Sequence, residues 1–120
     1  MTRSPRIERG DVCWVDPNPV AGREMRDQHP FVVITPAAIN VPGLVMMVPV
    51  TSGSVFVKAR GLTVAIQGKR IGGVAVCNQI RTFDLTARVQ AGSARFAERI
   101  DATASEEIVA RVLSVIDPAT

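Results

Sequence analysis

At 120 residues and 47% hydrophobic side chains, the chain fits one domain that buries about two-thirds of its unfolded surface and has no room for a second core. No apolar run reaches the roughly 18 residues of a membrane helix, because the densest, at 41–50, is broken by Pro42 and Pro49, and no apolar segment follows the basic start MTRSPRIERGD, so a soluble cytoplasmic protein without a secretion signal is expected. The net charge of +3 divides unevenly: residues 101–120 hold four acids and one arginine, leaving 13 basic and 7 acidic side chains in residues 1–100, a body suited to a polyanion such as RNA or DNA, or an ordinary solvated surface.

Short apolar runs separated by turn residues read as strands. In chain order they fall at Asp11 to Val15, Phe31 to Thr35, Leu44 to Pro49, Leu62 to Ile66 and Gly73 to Asn78, with further runs at Ala87 to Gln90 and Ala94 to Glu98. Pro17, Pro19, Gly22, Pro36, Gly43, Gly53, Gly61, Gly68 and Gly92 punctuate them. No helix-length segment intervenes, so the fold class is mainly β: antiparallel strands curled into a small barrel, closed off by a C-terminal helix. That helix is announced by Thr103 and Glu106 at capping-box spacing, with Glu107 also in the first turn. Ile108, Val112, Val115 and Ile116 recur at helical spacing, joined by Val109 and Leu113, until Pro118 stops an amphipathic helix of about three turns.

Few residues can carry covalent or metal chemistry. There is one histidine; Cys13 and Cys77 stand 64 positions apart in apolar runs and read as buried thiols, and no carboxylates have a recognisable ligand spacing. A thiol nucleophile paired with His29 stays formally open, although both cysteines lie within expected strands.

Gly22-Arg-Glu-Met-Arg-Asp-Gln-His-Pro30 is richer. Pro30 pushes His29 into an extended backbone, which sets the imidazole at the mouth of the second strand. Imidazole, which as a residue type titrates near pH 6.5, can exchange a proton under cellular conditions. Arg23 and Arg26 add permanent positive charge on the same stretch, and Glu24 can orient either partner. The plain alternative is a surface histidine in a solvated loop. Pro49-Val-Thr-Ser-Gly53 ends a strand with two hydroxyls and a glycine, a set of donors for a phosphate oxygen or simply a turn. Asn78, Gln79, Arg81, Thr82 and Asp84 follow another strand, suited to base edges and phosphates or to a hydrogen-bonded loop with an Arg81–Asp84 ion pair.

Taken in order, these segments resemble the MazF/PemK (Kid) family of toxin endoribonucleases. The resemblance runs through Arg9-Gly-Asp-Val-Cys-Trp-Val-Asp16, Gly22-Arg-Glu24, the Pro30-led strand ending Thr35-Pro36, and PVTSG at 49–53. It continues with Phe56 and Gly61, Gly73-Val-Ala-Val-Cys-Asn-Gln79, Arg81, Asp84, Ala87-Arg88 and the final helix. Its wording is closest to the PemK and ChpB branch. The resemblance implies an SH3-like barrel that dimerises, is inhibited by an acidic cognate antitoxin, and cleaves single-stranded RNA without metal or cofactor. In that chemistry the ribose 2′-hydroxyl attacks phosphorus and leaves a 2′,3′-cyclic phosphate and a 5′-hydroxyl.

Carried over position by position, the resemblance implies catalytic roles for His29, Glu24 and Thr51, and RNA contacts from Arg23, Arg26, Ser52, Phe56, Asn78, Gln79 and Arg81, the last also fitting a dimer interface. Four departures stand out. His29 replaces an arginine that many members carry before the strand-opening proline, and Arg23 and Asn78 replace a histidine and an aspartate implicated in the PemK branch. Val76 replaces a basic residue of that branch. His29 is thereby expected to act as general base or acid, with Glu24 orienting it. Two alternatives are a non-enzymatic toxin like the CcdB gyrase poisons, whose aromatic-glycine-aliphatic ending is missing from Ile116-Asp-Pro-Ala-Thr120, and a catalytically weakened homologue that binds antitoxin.

Overall fold

The computed structural model describes residues 6–18, 21–22, 27–52 and 62–118. In chain order these form β1 (Asp11–Val15), β2 (His29–Val33), β3 (Leu44–Thr51), β4 (Thr63–Gln67), β5 (Gly72–Val76), β6 (Arg81–Asp84), α1 (Leu85–Gln90), β7 (Ala94–Arg99) and α2 (Ala102–Ile116). All the ladders are antiparallel, as expected from the short connections.

β3 is the pivot. Its first half pairs with β6, Leu44 to Met47 against Asp84 to Arg81, and its last two residues pair with β5, Val50 against Ala75 and Thr51 against Val74. Pro49, which has no N–H to donate, stands between those two stretches. The strand order β4-β5-β3-β2-β1-β7 curls without a ladder between its two ends among the described residues, so the barrel is open there.

A side chain bridges that gap. The Glu98 carboxylate on β7 accepts the backbone N–H groups of Lys69, Arg70 and Ile71 in the β4–β5 turn, at 2.9, 2.7 and 2.7 Å. Helix α2 packs over β4 beside it. Three consecutive amides around one carboxylate oxygen pair form an anion-binding nest filled from within the chain.

Strand alternation sorts the apolar residues into two cores. Val12, Val32, Val48 and Val50 face one cluster, shared with Ile66, Ala75, Ile108 and Val112. Cys13, Val15, Phe31, Val33, Val45, Met47 and Phe83 face the other, capped by Leu85 of α1. Phe31 and Phe83 meet edge to face with centroids 5.1 Å apart, and each such fully buried side chain contributes about 1.5–3 kcal/mol.

Several expectations change. Ala87 to Gln90 is helical rather than extended: the Asp84 side chain accepts the Ala87 N–H at 3.0 Å as an N-cap, and Leu85 is buried. That cap also replaces the Arg81–Asp84 ion pair. β6 was not expected, because RTFD is too short for its period to be seen. Helix α2 is capped by Asp101, which takes the Ala104 N–H at 2.8 Å, and not by Thr103. It spans 15 residues, and its buried stripe is Ser105, Ile108 and Val112, while Leu113 and Ile116 remain exposed. The second strand starts two residues early, at His29, and the fifth ends at Val76 before a turn.

Candidate active site

His29 is the first residue of β2, half-buried and opposite Val15 on β1. Alternation along β2 puts its side chain on the face of Phe31 and Val33. The β2–β3 ladder pairs Phe31 with Pro49 and Val32 with Val48. His29, the first residue of β2, and Thr51, the last of β3, each lie two residues beyond the Phe31–Pro49 pair, at the same end of that ladder. Val48 and Val50 face one core and Val45 and Met47 the other, so Thr51 shares the face of His29. An imidazole and a hydroxyl 22 positions apart in sequence are thereby set at one end of one sheet face.

The backbone around Thr51 admits no bulk. Gly73, next to its partner Val74, holds a φ of +134°, and a Cβ there would run into the Thr51 carbonyl. Gly73→Ala is expected to destabilise the fold by about 2 kcal/mol or more, through backbone strain and overlap combined. Urea unfolding measures this, and an unshifted midpoint would show that β5 can withdraw from Thr51 at no cost.

Ser52 follows Thr51 and is exposed; Asn78, also exposed, and half-buried Gln79 sit in the β5–β6 turn, whose Gln79 N–H donates to the Val76 carbonyl at 3.2 Å. Arg81 opens β6 opposite Met47, on the face of Phe83. Its guanidinium lies 5.1 Å from the Phe83 ring centroid, and its Nη2 is 3.5 Å from the Pro17 carbonyl oxygen. Arg88 of α1 stands 4.6 Å from the same centroid and donates through Nη1 to the Asp16 carbonyl at 2.7 Å. Two guanidinium groups on one ring therefore brace the chain where it leaves β1, beside His29. Arg23, Glu24, Arg26 and Phe56 fall outside the described residues.

Residues 8–116 match the family described as PemK-like, MazF-like toxin of type II toxin-antitoxin system. The chain belongs to that family. Endoribonuclease PemK of Escherichia coli is 38% identical over 119 residues, covering 97% of this chain and 86% of that protein. Endoribonuclease toxin ChpB of Escherichia coli strain K12 is 30% identical, covering 98% of this chain and all of that protein. Among solved structures, MazF from Deinococcus radiodurans superposes with a TM-score of 0.77 at 25% identity, covering 94% and 98% of the two chains, and a MazE–MazF structure from the same organism gives 0.73 at 26%.

Sequence reasoning missed the residues that hold this toxin's site in shape. Arg88 was placed in a strand because four residues do not separate a period of 2 from one of 3.6. The family's Gly10-Asp11 opening proves structural: Gly10, with φ +93°, gives its N–H to the Val33 carbonyl at 2.9 Å, and buried Asp11 takes Arg99 Nε at 2.6 Å and the Glu8 N–H at 2.9 Å. Arg99 also reaches Glu8 at 3.0 Å. Val76, at the position of the branch's basic residue, is 1% exposed, so a charge there would have to be buried or force the turn open.

The thiols are not poised for catalysis in this toxin. Burial pushes Cys13 up to about 12, reinforced by the Asp11 carboxylate, and pushes Cys77 up to about 11, with Arg111 pulling it partly back. Both stay protonated at neutral pH, where only the thiolate is nucleophilic. Native protein is expected to resist alkylation by iodoacetamide at pH 8, with both thiols labelled after denaturation; mass spectrometry showing rapid native modification of Cys13 would contradict this.

Proposed function

We propose that this family member is a metal-independent endoribonuclease that cuts single-stranded RNA, the toxin half of a pair with an acidic antitoxin. The observation that supports the reading is the β2–β3 pairing, which leaves His29 and Thr51 each two residues beyond the Phe31–Pro49 pair at the same end of the ladder. Transesterification needs a base for the 2′-hydroxyl, an acid for the departing oxygen and donors for charge gathering on the non-bridging oxygens. His29 moves the proton: it takes it from the 2′-hydroxyl as the new O2′–P bond forms, or gives one to O5′ as the P–O5′ bond breaks. Thr51, with Ser52 beside it, donates to the non-bridging oxygens. Glu24 orients the imidazole. Arg23, Arg26, Phe56, Asn78, Gln79 and Arg81 contact the RNA, Arg81 from its place on Phe83.

The basic body suits both RNA and an acidic antitoxin chain, which then compete for it. The same reading carries a homodimer acting in the cytoplasm. The family assignment and the PemK and ChpB relatives support the toxin and endoribonuclease parts of the reading.

Purified protein incubated with single-stranded RNAs in EDTA is expected to release fragments ending in 2′,3′-cyclic phosphate with a 5′-hydroxyl on the downstream piece. Folded protein that cuts no RNA in a broad panel would overturn the reading. Antitoxin binding without cleavage would mark a weakened homologue, and gyrase inhibition without cleavage a CcdB-like toxin.

A further inference from the structure

The approach to His29 has an unusual corner. Asp27, two residues earlier, holds a φ of +65°, a conformation that costs most non-glycine residues about 1 kcal/mol or more and that Asn and Asp tolerate best. Its backbone N–H donates to the Asn18 side-chain carbonyl, and the Asn18 amide donates back to the Asp27 carboxylate, each at 3.4 Å. Asn18 is itself fixed: its N–H donates to the Asp16 carboxylate at 3.0 Å. The backbone immediately before it is held by Arg88 on the Asp16 carbonyl and by Arg81 beside the Pro17 carbonyl. The β1–β2 ladder ends at Val15 and His29, so this reciprocal clasp takes over where the ladder stops. A side-chain pair thus fixes the corner from which the imidazole leaves the strand.

We propose that Asn18 and Asp27 are positioning residues for His29: the clasp holds the left-handed corner at Asp27, and with it the backbone that aims the imidazole toward the end of β3. The inference rests on the proposed role of His29 in RNA cleavage. Both residues are exposed and their bonds are long, so they contribute little to global stability. A misplacement of about 1 Å at a reacting group is nonetheless enough to cost up to 10²-fold in rate.

Three variants separate aim from stability. Asp27→Asn keeps the tolerance for positive φ and both bonds to Asn18. Asp27→Gly keeps the corner and the backbone N–H bond to Asn18 but loses the bond to the carboxylate, and Asn18→Ala loses both. Asn18→Ala is expected to lower kcat for RNA cleavage about tenfold and Asp27→Gly by less, both with KM and thermal midpoint nearly unchanged, the double variant to fall no further than Asn18→Ala, and Asp27→Asn to match wild type. Ring ¹H–¹⁵N correlations of His29 should move in the two clasp-breaking variants and hold in Asp27→Asn. Wild-type kcat together with unmoved His29 ring signals in Asp27→Gly and Asn18→Ala would overturn the proposal. If wild-type protein cuts no RNA the ribonuclease reading falls, and the ring signals still decide whether the clasp aims His29.

Discussion

His29→Ala is expected to lower kcat for RNA cleavage at least about 10²-fold while leaving the urea midpoint close to wild type, because a general acid or base contributes about 10² to 10⁴ and the ring sits at a strand mouth rather than in either core. The pH profile makes the test specific to proton transfer. Any bend in the wild-type profile that proton exchange at His29 produces should be missing from the residual activity of the alanine variant. His29→Arg restores the guanidinium common in the family but cannot readily accept a proton at neutral pH, so it reports whether charge or proton exchange is the requirement. An active alanine variant with an unaltered pH profile would remove His29 from the mechanism. The fold and the family would stand.

Loss of Glu98 is expected to weaken the fold where the two ends of the sheet meet. Partial burial by itself would raise this carboxyl, but the N–H groups of Arg70, Ile71 and Lys69, together with the Arg70 guanidinium, hold it below the ordinary glutamate range. Glu98→Gln keeps an acceptor oxygen and drops the charge; Glu98→Ala leaves all three amides to water. An expected cost of about 2 kcal/mol for the alanine variant at pH 7 follows from the strength of hydrogen bonds to a charged group, reduced for exposure. The sign of the pH dependence is fixed by the depressed folded-state pKa. The contribution is complete above the unfolded-chain value, about 4.3 for glutamate, and is lost as the pH falls through the lower folded value. Urea midpoints of wild type and Glu98→Gln should therefore differ at pH 7 and converge toward pH 3. An equal gap at both pH values would mean that shape, and not charge, joins the two ends of the sheet.

Much of this protein was legible without coordinates. β1 has the predicted bounds, and β3, β4, β5 and β7 lie within one or two residues of them. The second strand begins two residues before the predicted Phe31, because proline is accepted near the start of a strand and both His29 and Pro30 join the β1 ladder. Arg81 to Gln90 was misread because a four-residue strand runs straight into a six-residue helix, and the cap that divides them is the Asp84 side chain. Capping signals are local, yet Asp101 was passed over for Thr103 because a capping box looked complete two residues later.

For the site, residue chemistry and order along the chain were enough to single out His29, Thr51, Asn78 and Arg81 and to find the family. They did not reveal what each side chain faces. Alternation within a strand is written in its own residues, but the partner register is a long-range fit in which a slip of one place turns every side chain to the other face. That fit leaves His29 and Thr51 at the same end of the β2–β3 ladder and puts the Arg81 guanidinium over Phe83. The same holds for Glu98 on a turn 27 to 29 residues away and for Arg88 on a carbonyl 72 residues away, since bonds to backbone N–H and C=O groups, which nearly every residue offers, leave no pattern in sequence. The sequence by itself determined the family, most of the strands and the one histidine that could exchange a proton; only the tertiary structure decided which side chains share a face, because pairing across distant strands is settled by packing two cores at once.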